Sequence, residues 1–166
     1  MSTKLNYESI ANRARNNALD LLLEAKLLAE NERFARAFFL ACLSLEELGK
    51  SQMTLDYAAG LITRDNLEKA FAGGKAHALK LAYQHRWMEL KNIGRVTASI
   101  KYNLQEGERL QKLKELAVYT AEKKNPEQDW KALAEEEVKF VDDWFYDIMY
   151  AEWLNSPKRG SKSLWK

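Results

Sequence analysis

The chain has 166 residues, of which 46% are apolar, with 26 basic against 24 acidic side chains, one cysteine, two prolines and seven glycines. That length and apolar content suffice for one domain with a real core. The lone Cys42 excludes a disulfide framework, and the longest uncharged run, 37–45, is far short of the ~20 residues that a membrane span needs. Scarce proline and glycine, with long stretches rich in Ala, Leu, Glu and Lys, argue against a β-sandwich and predict an all-α fold. No apolar segment of signal-peptide length opens the chain, so a soluble cytoplasmic protein without a membrane partner is expected.

Asn6 is the expected cap of a first helix reaching Glu30, with Ile10, Ala14, Ala18, Leu21, Ala25 and Leu28 as its apolar stripe. A polar turn at Asn31 and Glu32 leads into a second helix ending near Gly60, striped by Phe34, Phe38, Ala41, Leu45, Leu48 and Leu55 and interrupted by Gln52. The short connection predicts a long antiparallel hairpin of the two. Thr63, followed by Asn66, caps a short third helix over 64–72, and Gly73-Gly74 breaks it. A fourth helix over 75–92 turns Ala76, Leu79, Tyr83, Trp87 and Leu90 to one face. A fifth covers 95–122, weakened by Gly107. Asn125-Pro126 with Gln128 reads as the start of a last helix that runs to Leu154. It carries Trp130, Phe140, Trp144, Phe145, Ile148, Tyr150 and Trp153, so it should dock into the bundle or a dimer seam. The whole reads as a single-domain bundle of four to six helices over 1–156, with a basic flexible tail over 157–166.

Charge is unevenly placed. Lys75, Lys80, Arg86, Lys91, Arg95 and Lys101 face only Glu89 across 75–101, whereas 127–152 is acidic. A basic helix in a cytoplasmic domain favours a phosphate-bearing partner such as RNA. Several chemistries are excluded. A carboxylate-bridged di-metal site needs Glu-x-x-His, but Gly74 and Ala82 stand three residues before His77 and His85. Cysteine and histidine are too few for zinc, and neither a glycine-rich phosphate loop nor a Gly-x-Ser-x-Gly elbow is present. No metal and no cofactor are expected.

The most informative segment is Glu46-Glu47-Leu48-Gly49-Lys50. Both glutamates lie beside the apolar stripe of the second helix, within one turn of Lys50. A helical glycine costs ~1 kcal/mol against alanine, so Gly49 marks a place where another backbone or a ligand comes close. Together with His77-Ala78-Leu79-Lys80 downstream, this hairpin resembles the AbiV family of bacterial abortive-infection proteins, of the HEPN helical superfamily, over roughly 6–90. The resemblance implies a HEPN-like bundle, a homodimer, and a role in phage defence by stopping growth or translation of the infected cell. Glu46, Glu47 and Lys50 match the family's Glu-Glu-x-Gly-Lys, and His77 and Lys80 its His-x-x-Lys. These five are the candidate catalytic residues, with Lys75, His85, Arg86 and Lys91 as candidate RNA contacts.

Many HEPN proteins are metal-independent ribonucleases that use Arg, four to six residues, then His. This chain departs from that pattern, since only Lys80-x4-His85 approximates the spacing, with lysine in place of the forked guanidinium. Two functions therefore stay open. One is an effector acting on RNA or the ribosome, as a metal-independent endoribonuclease. The other is a non-catalytic dimeric module that binds an antitoxin, a phage-encoded activator or a nucleotide, using the aromatic last helix and the acidic face.

Overall fold

The computed structural model describes residues 6–72, 74–93, 100–119 and 128–155, without the side chains of 85–93, 100–103, 119 and 148–155. Its elements are all helical: α1 (Tyr7–Glu30), α2 (Phe34–Ala58), α3 (Arg64–Phe71), α4 (Ala76–Ile93), α5 (Ile100–Tyr119) and α6 (Trp130–Asn155). Caps account for several of the boundaries. The Asn6 side chain accepts from the Ser9 amide at 3.0 Å and that of Thr63 from the Asn66 amide at 3.3 Å, each satisfying a donor the helix leaves free. α2 stops at Gly60, whose φ of 74° allows the Leu61 amide to reach back to the Asp56 carbonyl at 2.8 Å. α1 ends in the same way, the Arg33 amide meeting the Leu28 carbonyl at 2.8 Å, but there the left-handed residue is Glu32, with φ 58°. The start of α6 differs from expectation. It begins at Trp130, where Asp129 accepts from the Ala132 amide at 3.0 Å, and the anticipated cap at Asn125 and Pro126 lies outside the described residues, as does the basic tail.

α1 and α2 form the expected antiparallel hairpin. Ser44 Oγ donates to the Ala18 carbonyl at 2.6 Å and Ser51 Oγ to the Ala11 carbonyl at 2.9 Å, two pairs in one register. The face of α1 that meets α2 is Ala11, Ala14, Ala18, Leu22 and Ala25. Ile10 and Leu21 are therefore displaced by their neighbours, because a ridge of alanines permits the closest approach of two backbones. Nor does α2 carry a single stripe. It touches each of the other five helices and buries residues around most of its circumference, while Leu55, expected inside, is 40% exposed. Around it lies one core, including Leu22, Phe38, Leu45, Leu48, Leu81, Leu110, Val141 and Trp144.

α4 is held between α2 and α5. A Cβ on Gly49 would stand 2.2 Å from the Lys80 carbonyl oxygen, and one on Gly107 2.2 Å from that of Ala78. Gly49 thus marks the close passage of another backbone, and Gly107, which reads in sequence as a weakness in α5, does the same on the other flank of α4. This grip turns Ala78, Leu81 and Ala82 inward beside Ala76, which is buried as expected, and leaves Leu79 and Tyr83 half-buried, correcting those two positions of the expected face; the side chains of Trp87 and Leu90 lie outside the described residues. The Tyr83 hydroxyl donates to the buried Asp56 of α2. On α6, Trp144 and Phe145 are buried and the rings of Trp130 and Phe38 meet at 5.8 Å, so these aromatics dock into the bundle. The side chains of Ile148, Tyr150 and Trp153 lie outside the described residues. Among the described residues, no helix is long and apolar enough to cross a membrane.

Candidate functional site

Parallel passage of α4 beside α2 sets Glu46 opposite the first turn of α4. Glu46 Oε2 lies 2.6 Å from His77 Nδ1 and 3.5 Å from Lys80 Nζ, while its other oxygen, Oε1, accepts from Lys114 Nζ of α5. Two helices, α4 and α5, thereby place three nitrogen groups on the one carboxylate of α2. The arrangement is graded in depth: the side chains of Glu46 and Lys114 are 5% and 7% exposed, that of Lys80 14%, and that of His77 53%. Charge does not cancel inside it. One carboxylate faces two ammonium groups as well as the imidazole, so the surplus is positive and has its outlet at the His77 and Lys80 edge.

Burial pushes the Glu46 carboxyl up, but hydrogen bonds from Lys114 and His77, and then their charges, outweigh it and hold the group below its ordinary value. An ionised carboxylate can only accept. Nδ1 of His77 is therefore the donor whether the ring is charged or neutral, and in the neutral ring Nε2 is left as the basic nitrogen on a half-exposed side chain. Nearby, the Cys42 thiol is pushed well above its usual value by burial and packs as a small hydrophobe. A second buried carboxyl, Glu137 of α6, is pushed up to about 7 by burial, by Glu136 and by Glu106 against the pull of Arg109, and its Oε2 has no hydrogen-bond partner among the described residues.

Of the sequence candidates, Glu46, His77 and Lys80 come together. Glu47 and Lys50 instead pair with each other, at 3.1 Å, in a half-buried bridge on α2. Lys75 pairs with Glu108 of α5 at 2.9 Å on the surface. The side chains of His85, Arg86 and Lys91 lie outside the described residues. Lys114 was missing from the sequence reading, although a trace of it is there. It stands in line with Gly107, Leu110 and Ala117, all of them buried, and so interrupts the apolar stripe of α5 with a charge. Among the described residues, no three of His, Cys, Asp and Glu gather as metal ligands.

The family model for AbiV, a HEPN-type domain, matches residues 6–135, which span α1 to the first turn of α6 and hold every member of the Glu46 cluster. The chain belongs to the AbiV family. It is accordingly a HEPN-like protein of the abortive-infection type. Neither a curated protein nor a solved structure matches it. Within this AbiV chain, the Glu-Glu-x-Gly-Lys motif divides its labour: Glu46 binds the His-x-x-Lys pair of α4, Gly49 admits the α4 backbone, and Glu47 with Lys50 forms the flanking bridge.

Proposed function

We propose that this AbiV-family chain is an abortive-infection effector that cleaves RNA without a metal, with His77 as the proton-transfer group. The observation that carries the reading is the 2.6 Å contact of Glu46 Oε2 with His77 Nδ1, with Lys80 Nζ 3.5 Å from the same oxygen. Glu46 accepts from Nδ1–H and frees Nε2 to take the proton of a ribose 2′-hydroxyl. The resulting oxygen attacks the adjacent phosphorus, the bond from phosphorus to the 5′-oxygen breaks, and that oxygen leaves with a proton from the imidazolium or from water. Lys80 supports the charge that builds on the phosphorane. The products are a 2′,3′-cyclic phosphate and a 5′-hydroxyl end, and DNA, lacking the 2′-hydroxyl, is not a substrate. Purified protein and its His77→Ala variant, incubated with total RNA and with ribosomes in EDTA, test this. Cyclic-phosphate ends from the wild type alone are expected. Absence of cleavage by the wild type on both substrates, or equal cleavage by both proteins, overturns it.

A second reading, a module that works by pairing with another copy, has its own observation. Leu19, Leu23 and Leu27 recur along the outer face of α1 and are 37%, 55% and 60% exposed. A ladder of one residue type is self-complementary under two-fold symmetry, so the same leucines can meet in two copies. Sedimentation equilibrium of wild type and Leu23→Glu decides it: a dimer that the variant dissociates supports pairing through α1, and a monomeric wild type rejects it.

A further inference from the structure

Phosphate chemistry does not account for Lys114. At 7% exposure its side chain lies too deep to meet a polymer, yet it takes one whole oxygen of Glu46. A buried ammonium gives up hydration and side-chain freedom. The surrounding α5 positions, Leu110 and Ala117, show that an apolar residue would suit this face. Something must offset that cost, and the division of the carboxylate shows what it is. Oε1 points inward to Lys114, whereas Oε2 serves His77 and Lys80. A carboxylate held at one oxygen by a deep, confined donor cannot rotate freely, so its second oxygen has a fixed aim.

We infer that Lys114 is a positioning residue: it keeps the Glu46 carboxylate an acceptor turned toward His77, and thereby selects the tautomer in which Nε2 is the base. The inference rests on the reading of His77 as the proton-transfer group and extends it to a third helix. Without Lys114, burial of the carboxyl is opposed only by His77 and Lys80 at the other oxygen, which shifts Glu46 toward its protonated form. It then donates to Nδ1, which places the ring hydrogen on Nε2 and removes the base.

Histidine tautomers are read directly from two-bond proton–nitrogen couplings in protein labelled with 15N, at neutral pH and with no RNA present. The two histidines are told apart by the His77→Ala spectrum. Wild type and Lys114→Arg are expected to show His77 as Nδ1–H, and Lys114→Met to reverse the preference to Nε2–H. Circular dichroism checks folding. Should Lys114→Met not fold, Lys114→Gln, which is polar but uncharged and one bond too short to hold Oε1 in the same way, takes its place with the same expected reversal. An unchanged Nδ1–H pattern in a folded Met or Gln variant overturns the inference. Because the measurement uses the protein alone, it judges Lys114 even if the wild type cuts no RNA. Conversely, RNA cleavage with an unshifted tautomer in Lys114→Met would keep the role of His77 and remove that of Lys114.

Discussion

Replacing Gly49 by alanine sets two opposing effects against each other, and the distances decide between them. In an open helix the change should stabilise by ~1 kcal/mol, since alanine is the better helix former. Here the new Cβ would lie 2.2 Å from the Lys80 carbonyl oxygen and 2.9 Å from its carbon, both of them backbone atoms that no rotamer can move. Carbon and oxygen approach comfortably to about 3.3 Å, so α4 has to withdraw by about 1 Å. It cannot do so freely, because Ala78 already abuts Gly107 on the far side. Overpacking of this kind costs about 1–3 kcal/mol, and the propensity gain offsets only part of it. Gly49→Ala is therefore expected to be destabilised by ~1–2 kcal/mol. The same withdrawal takes His77 Nδ1 from its 2.6 Å contact with Glu46 to a separation beyond hydrogen bonding, so function should fall further than stability. Urea unfolding with an unchanged m-value measures the first effect, and the nitrogen shifts of His77 measure the second. Gly74→Ala is the control, since nothing lies within 4 Å of its added Cβ. A Gly49→Ala protein as stable as wild type or more so, with His77 undisturbed, would refute the close-passage argument.

Two further perturbations test other parts of the fold. Burial first, then Glu136, pushes the Glu137 carboxyl up to about 7 from an ordinary value of 4.5, with Glu106 adding and Arg109 opposing. Since the folded value is the higher one, the stability this group contributes is present below the ordinary value and is lost as pH rises toward 7, a loss of about 3 kcal/mol. Glu137→Gln should flatten that slope, so that unfolding in urea finds it more stable than wild type at about pH 8 and little changed at about pH 5; parallel curves for the two proteins would contradict this. At the end of α1, Glu32 occupies a left-handed conformation, φ 58°, on the surface. Glu32→Gly should raise stability by ~0.5–1 kcal/mol, seen as a rise of a few degrees in Tm, and a fall in Tm would show that the side chain has a role of its own.

The helices were legible in the sequence because periodicity and caps are local properties. Asn6 and Thr63 cap as their side chains predict, and the hairpin follows from a short connection. The faces were less legible. Reading a stripe favours the largest apolar residues, which selected Ile10 and Leu21 on α1 and Leu79 and Tyr83 on α4. Helices that approach closely meet through their smallest residues: Ala14 and Ala18 were read on the buried face of α1, but Ala11 was missed there, as were Ala78 and Ala82 on α4. At the site, Glu46, His77 and Lys80 could be named from sequence because the family motifs contain them. That Glu46 and not Glu47 would meet His77 depends on which side of α2 the α4 helix passes, a tertiary fact. Lys114 was hidden for a related reason: a lysine near an apolar stripe ordinarily extends to solvent, and only the position of Glu46 draws it inward.

The clamp and the cluster share residues, and this is why the fold places its chemistry where it does. Ala78 and Lys80, whose carbonyls face Gly107 and Gly49, lie on either side of Leu79 and directly follow His77. The backbone that carries both polar side chains is therefore fixed from two directions before either meets Glu46. Each glycine weakens its own helix by ~1 kcal/mol relative to alanine, a cost that a plain bundle would avoid by letting α4 stand off. Standing off would leave Glu46 and Lys114 as buried charges without their outer partners, and breaking such a set is costlier than forming it is favourable, at about 3–5 kcal/mol for the loss of one partner. Close passage and charge cluster thus require each other. Substitutions at either glycine and at Glu46 should consequently be non-additive, the double variant losing less than the two single losses combined, because once α4 has withdrawn there is little left for Glu46 to hold.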